Sequence, residues 1–125
     1  MRRTKTDVKA ANQEAMEAEF LQLGSQWVKA ASTPKRANKL YDKLYELTRR
    51  MRLLPDRGEA ILKHITEIAE PEVRVFAAAA ILALDERYAL RVLRDVATHE
   101  KGLVTFTAEM TIREWKAGNL RVYWS

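Results

Sequence analysis

The sequence predicts an all-helical domain of about six helices, and three observations lead to that prediction. Apolar residues recur at three- and four-residue spacing along most of the chain, which is the period of an α-helix. Proline and glycine residues separate these periodic segments. The segment 71–84 is apolar from Val73 onward except at Arg74, so other helices have to cover it on several sides. We therefore expect residues 1–125 to form one domain around this segment.

The first two helices are predicted at 7–31 and 34–54. The apolar residues of the first helix form one stripe, which comprises Met16, Phe20, Leu23, Trp27 and Ala31. Gly24 lies inside this helix and indicates a bend or a close backbone contact. In the second helix, Thr33 and Pro34 are typical of an N-cap and a first helical residue. Its buried seam is expected to comprise Leu40, Leu44, Leu47, Met51 and Leu54.

The third and fourth helices are predicted at 59–69 and 71–84. Asp56 followed by Glu59 has the spacing of a capping box, which would start the third helix. The residues that the third helix turns toward the core are expected to be Ile61, Leu62, Ile65, Ile68 and Ala69. Pro71 begins the fourth helix, which forms the predicted centre of the domain.

Two more helices and a short tail complete the predicted domain. Asp85 can cap the fifth helix, and Gly102 separates it from the sixth, which stops at Gly118. Ordered helices are thus expected over residues 7–118, followed by a tail at 119–125. The apolar residues of helix three match those of helix five after a shift of 28 positions, and those of helix four match those of helix six after a shift of 31 positions. This repeat indicates stacked helix pairs.

Aromatic residues are expected to have structural roles at Trp27, Trp115 and Trp124. The tail contains Tyr123 and Trp124, which is more aromatic than a free tail usually is. We expect it to cap the end of the helical stack, and a dimer interface is the alternative.

The fourth helix carries a resemblance to a known family. Glu72-Val-Arg-Val-Phe-Ala-Ala-Ala-Ala-Ile-Leu82 follows an apolar helix and a short turn, and it resembles the second helix of a HEAT repeat. That helix typically contains Val-Arg, then paired alanines, then a leucine. From Leu40 to Trp115 the chain also resembles small bacterial HEAT-like proteins of the ARM-type superfamily. The second unit departs from the pattern, because Thr105 replaces the arginine.

The resemblance implies a short right-handed αα superhelix and a role in binding other proteins, without implying any reaction. It also implies that Arg74 bonds a carboxylate of an adjacent unit, for which Glu70 and Asp95 are the candidates. The arginine is then structural and takes no part in chemistry.

Residue types needed for catalysis or metal binding are scarce. The chain has no cysteine, which excludes disulfides and thiolate metal ligands and favours a cytoplasmic location. The two histidines, His64 and His99, are far apart, and no glycine-rich phosphate loop or Gly-x-Ser-x-Gly motif occurs. The longest apolar run, 75–84, is too short to span a bilayer. We expect a protein that is not an enzyme and needs neither cofactor nor metal.

The basic segment 35–57 is the most informative surface. It carries eight basic and three acidic side chains, so it accounts for the whole net charge of +5. Five cations form a surface that we call the basic face, which comprises Arg36, Lys39, Lys43, Arg50 and Arg57. Tyr41 and Tyr45 line the opposite border of the leucine seam.

Two functions are compatible with this sequence. The first is a scaffold that binds another protein, or a second copy of itself, through a helical face. The alternative is binding of nucleic acid or another polyanion through the segment 35–57, where cations could contact phosphates and tyrosines could stack on bases.

Overall fold

The protein consists of six α-helices over the part that the structure describes. The structure is a computed structural model, which describes the backbone of residues 5–120 and the side chains of residues 11–120. The all-helical prediction is confirmed for these residues, among which no strand occurs. The helices are α1 (Lys5–Lys29), α2 (Pro34–Met51), α3 (Glu59–Ile68), α4 (Pro71–Ile81), α5 (Glu86–His99) and α6 (Leu103–Lys116). None of them is both long and apolar enough to cross a membrane.

Four predicted boundaries are wrong by two or three residues. Helix α1 starts and ends two residues earlier than predicted, α2 ends at Met51 instead of Leu54, and α4 ends at Ile81 instead of Leu84. After α2 and α4 the backbone continues with hydrogen bonds between residues three apart. The N–H of Leu54 donates to the carbonyl of Met51, and the N–H of Leu84 donates to the carbonyl of Ile81. Trp124 and the rest of the predicted cap at 121–125 lie outside the described residues.

The start of α3 differs from the predicted capping box. Its N-cap residue is Gly58, which has a φ of 83° and therefore lies in the left-handed region. The Asp56 carboxylate accepts hydrogen bonds from the backbone N–H groups of Gly58 and Ala60, both at 2.9 Å. A Cβ atom on Gly58 would lie 2.8 Å from the Cβ of Met51. The turn needs glycine both for its conformation and for space.

Helix α4 is the centre of the fold, as predicted, because it packs against α1, α3, α5 and α6. Its buried residues are Val73, Val75, Phe76, Ala77, Ala78, Ala80 and Ile81. The alanines let neighbouring helices approach, while Phe76 and Ile81 fill the space between them. Ile68, the last residue of α3, was predicted to face the core but is 54% exposed.

Arg74 binds a different carboxylate from the two predicted ones. Its guanidinium lies 3.0 Å from the Glu100 carboxylate, which connects the first turn of α4 to the residue that follows α5. Asp95 instead lies 2.9 Å from the ring of His99, one turn along its own helix. Glu100 could not be identified from helical spacing, because it lies in the connection between α5 and α6.

A second arginine caps the other end of α4. Arg52, which follows α2, donates to the backbone carbonyl of Ala80 and, at 2.8 Å, to that of Arg57. The carbonyls of a last helical turn lack partners within the helix, so a guanidinium is a suitable donor there. Burial and the nearby charge of Arg57 lower the pKa of Arg52 to about 10. Arg52 therefore connects the end of α2 to the end of α4.

The remaining helices are joined by polar contacts at their edges. The Trp115 indole donates to the Glu86 carboxylate at 3.0 Å, which connects α6 to the start of α5. Buried Thr66 lies 2.7 Å from the Tyr88 hydroxyl, which connects α3 to α5. On α1, the Glu17 carboxylate contacts Nδ1 of His64 on α3.

The backbone of α1 lies unusually close to α4 at Gly24. A Cβ atom there would be 2.8 Å and 3.0 Å from the two methyl groups of Val73, which is 2% exposed. We predict that Gly24→Ala destabilises the protein by about 1–3 kcal/mol through overpacking, even though alanine is the better helix former by about 1 kcal/mol. Urea unfolding measures this change.

The Val73→Ala background is the control for this prediction. Removing the valine methyl groups relieves the clash, so the same Gly24→Ala substitution should stabilise that background by up to about 1 kcal/mol. An equal cost in both backgrounds would contradict a close contact between Gly24 and Val73.

The Glu17–His64 contact predicts a pH-dependent stability. The hydrogen bond and the charge of Glu17 raise the pKa of exposed His64 above its usual 6.5. This contact therefore stabilises the fold fully below pH 6.5, and the stabilisation is lost as pH rises through the higher folded-state pKa. The loss of unfolding free energy in His64→Gln should be larger at about pH 5.5 than at about pH 8.5. The loss of unfolding free energy in Glu17→Gln should have the same pH dependence. A loss that grows with pH in either variant would contradict the contact between Glu17 and His64.

Candidate functional site

An aromatic cluster joins three helices on one side of α4. The Phe76 ring lies at its centre, with ring centroids at 5.7 Å from Phe20, 6.0 Å from Trp27 and 5.4 Å from Tyr41. All three pairs meet edge to face, an arrangement worth about 0.5–1.5 kcal/mol per pair beyond the buried area. Tyr41 also lies beside the ring of Tyr45 at 6.5 Å. The cluster holds α1 and α2 in fixed positions against α4.

A groove of about 670 Å³ opens next to this cluster. One wall comes from Trp27 and Val28 of α1 together with Ala37 and Tyr41 of α2. Tyr41 is 39% exposed, so part of its ring faces the open space. The volume falls within the range of about 300–1,000 Å³ that is usual for ligand sites.

The floor of the groove belongs to α4 and the second wall to α6. The floor is formed by Val75, Phe76 and Ala79. The second wall is formed by α6 residues at four-residue spacing and their neighbour, namely Leu103, Val104, Thr107 and Thr111. Leu103, which lines the groove, is 80% exposed.

The lining is mostly apolar, and its charged residues are Glu72 and Lys101. The hydroxyl groups of Thr107 and Thr111 donate to backbone carbonyls of their own helix, at 3.1 Å and 2.8 Å. The polar groups in the groove are thus few, while the aromatic surface is large. This arrangement can bind an apolar side chain or a short apolar segment.

The structure divides the predicted binding residues into two groups. Tyr41 lines the groove, and Tyr45 packs beside it. Lys43 and Arg50 instead line a separate shallow depression between α1 and α2, together with the carboxylates of Glu19 and Glu46. The tyrosines and these cations therefore lie on different sides of α2 and do not form one surface.

The basic face is partly neutralised. The Arg50 guanidinium lies 3.1 Å from both carboxylate oxygens of Glu19, and both side chains are about half exposed. Arg36 and Lys39 are exposed on α2, and Arg57 lies beyond its end in the left-handed conformation with a φ of 60°. None of the five cations of the basic face lines the groove.

Sequence reasoning missed the second wall of the groove. The apolar spacing in α6 selects Val104 and Ala108, and both are buried. Leu103, Thr107 and Thr111 have the same four-residue spacing, but a search for apolar residues at helical spacing does not count threonine. The four-residue spacing of these three residues was the feature of the sequence that could have identified the second wall.

Among residues 11–120, whose side chains the structure describes, no group of three or more histidine and carboxylate side chains could hold a metal ion. Comparison with family models, curated proteins and solved structures finds no match to this chain.

Proposed function

We propose that the protein is a non-enzymatic, HEAT-like scaffold that binds an apolar segment of a partner protein in the groove between α1, α2, α4 and α6. The observation that supports this most is the aromatic wall formed by Trp27 and Tyr41 beside an apolar floor. Aromatic residues in a concave apolar surface are typical of sites where a few buried side chains provide most of the binding energy.

The packing of the helices supports the HEAT-like part of the proposal. Helices α3 and α4 form one hairpin, α5 and α6 form the next, and α4 also contacts α6. Contacts between successive hairpins are what a stack of αα units requires. Helices α1 and α2 form a further hairpin that contacts α4 through α1.

The chemistry of the lining indicates what the partner segment is like. Glu72 and Lys101 have opposite signs, so the groove gives no preference for a strongly acidic or basic ligand. The exposed faces of Tyr41 and Leu103 favour aromatic and aliphatic side chains. We therefore propose a short partner segment with two or three such residues.

Selection from a random peptide library with the full chain tests this proposal. We expect enrichment of peptides rich in aromatic and aliphatic residues. The Thr107→Trp variant, which fills the groove from its exposed α6 wall, should weaken their binding at least about tenfold, a loss of about 1.4 kcal/mol. Fluorescence polarisation with labelled peptides measures the affinity.

Thr98→Trp is the matched control, because Thr98 is also an exposed helical threonine but does not line the groove. It should leave peptide affinity unchanged, and circular dichroism should show both variants folded. Equal binding by both variants, or enrichment of acidic peptides alone, would contradict binding in the groove.

The second candidate function is polyanion binding through the basic face. It is favoured by the exposure of Arg36, Lys39 and Lys43 on one helix. If these cations contact DNA phosphates, affinity falls with salt, and Arg36→Glu/Lys43→Glu should make the log–log slope shallower by about 1.8. The matched variant Arg87→Glu/Arg94→Glu changes two exposed cations of α5 and should leave this slope unchanged. DNA binding that is unaffected by the α2 variant would exclude this function.

A further inference from the structure

We propose that two copies of the chain associate through the exposed side of α6, with the two α6 helices antiparallel about a two-fold axis. This surface, which we call the outer face, comprises Leu103, Phe106, Glu109, Met110 and Arg113. The proposal goes beyond the proposed function, because it concerns a second surface of the molecule. Of the outer face, Leu103 alone also lines the groove.

A stripe of apolar side chains runs along the outer face. Leu103, Phe106 and Met110 follow each other at three- and four-residue spacing, so they lie next to one another on the helix. Leu103 is 80% exposed, Phe106 is 58% exposed and Met110 is half-buried. The buried residues of α6, Val104 and Ala108, lie on the other side of the helix. Large apolar side chains that face away from the protein's own core are typical of an interaction surface.

The repeat shows that this stripe has the position of a contact between hairpins. After a shift of 31 positions, Val75 of α4 corresponds to Phe106 of α6. Val75 is 5% exposed, and the hairpin of α5 and α6 packs on its helix. Within the described chain α6 packs on α5 and α4, and these contacts leave Phe106 open to solvent. The outer face therefore continues the stack, since the last unit of a stack otherwise has a polar outer surface.

The charges beside the stripe are complementary to those of a second copy. Glu109 and Arg113 are both exposed, and neither forms an ion pair with another described residue of its chain. If two α6 helices lie antiparallel, with the axis at a level midway between these residues, Glu109 of each copy faces Arg113 of the other. A parallel pair would instead bring each charge to its own equivalent. Charge complementarity therefore favours an antiparallel second copy.

The same register also gives Phe106 a contact. Phe106 lies as far before the axis as Lys116 lies after it, so each ring meets Lys116 and the adjacent Ala117 of the second copy. Both of these residues are exposed in the single chain. Ala117 leaves space for the ring, and the lysine stem and ammonium group can cover its face. Because a two-fold interface uses the same patch twice, each of these contacts forms twice.

Sedimentation velocity of the full chain tests the association. An interface made by one pair of helices is small and typical of weak complexes, so we expect a monomer–dimer equilibrium at about 10–300 µM. Phe106→Ser should weaken the dimer at least about tenfold, because the aromatic residue lies at the centre of the apolar contact. Leu53→Ser is the matched control, since Leu53 is 86% exposed in the connection between α2 and α3. It should leave the dimer unchanged, and circular dichroism should show both variants folded.

Charge reversal tests the antiparallel register. Glu109→Lys and Arg113→Glu should each weaken their own dimer at least about tenfold, because both ion pairs become repulsive. An equimolar mixture of the two variants should dimerise like the wild type, since both pairs across the axis then have opposite signs again. Arg94→Glu, which reverses an exposed charge on α5, is the control and should dimerise like the wild type.

Three results would each overturn the proposal. The first is a wild-type chain that stays monomeric at about 300 µM. The second is a dimer that Phe106→Ser does not weaken, because the interface then lies elsewhere. The third is a mixture of the two charge variants that stays monomeric, because Glu109 and Arg113 then do not meet across the axis. Phe106 does not line the groove, so peptide binding by Phe106→Ser tests the proposed function separately.

Discussion

The close approach of α1 to α4 is the constraint on which the rest of the structure depends. Gly24 lets the α1 backbone lie against Val73, and this position brings Phe20 and Trp27 onto the ring of Phe76. Since α2 packs on α1, the same approach places Tyr41 against Phe76. One glycine thus decides how the first hairpin sits on the central helix.

The groove lies where the helices around α4 leave a gap. Helices α1 and α6 both contact α4, and the space between them is lined by the buried residues Val75 and Phe76 and by the partly exposed Ala79. Ala79 is too small to fill this space, and the rings of Trp27 and Tyr41 pack on Phe76 beside it.

Charge has a different role on each side of the molecule. On α2, Arg50 pairs with the Glu19 carboxylate of α1, and an exposed pair of this kind contributes at most about 1 kcal/mol to stability. Arg52 and Arg74 are less exposed and hold the two ends of α4, through backbone carbonyls and through Glu100 respectively. The two arginines that hold the ends of α4 are therefore not members of the basic face.

The sequence by itself determined the all-helical class, the six helices and the buried centre at α4, because helical periodicity, prolines and glycines act over a few residues. It also placed Tyr41 on the border of the leucine seam, where the structure finds it beside the groove. Only the tertiary structure decided which surfaces meet. The partner of Arg74, the capping by Arg52 and the wall of Leu103, Thr107 and Thr111 all depend on helices that are distant in sequence, and no local pattern encodes such contacts.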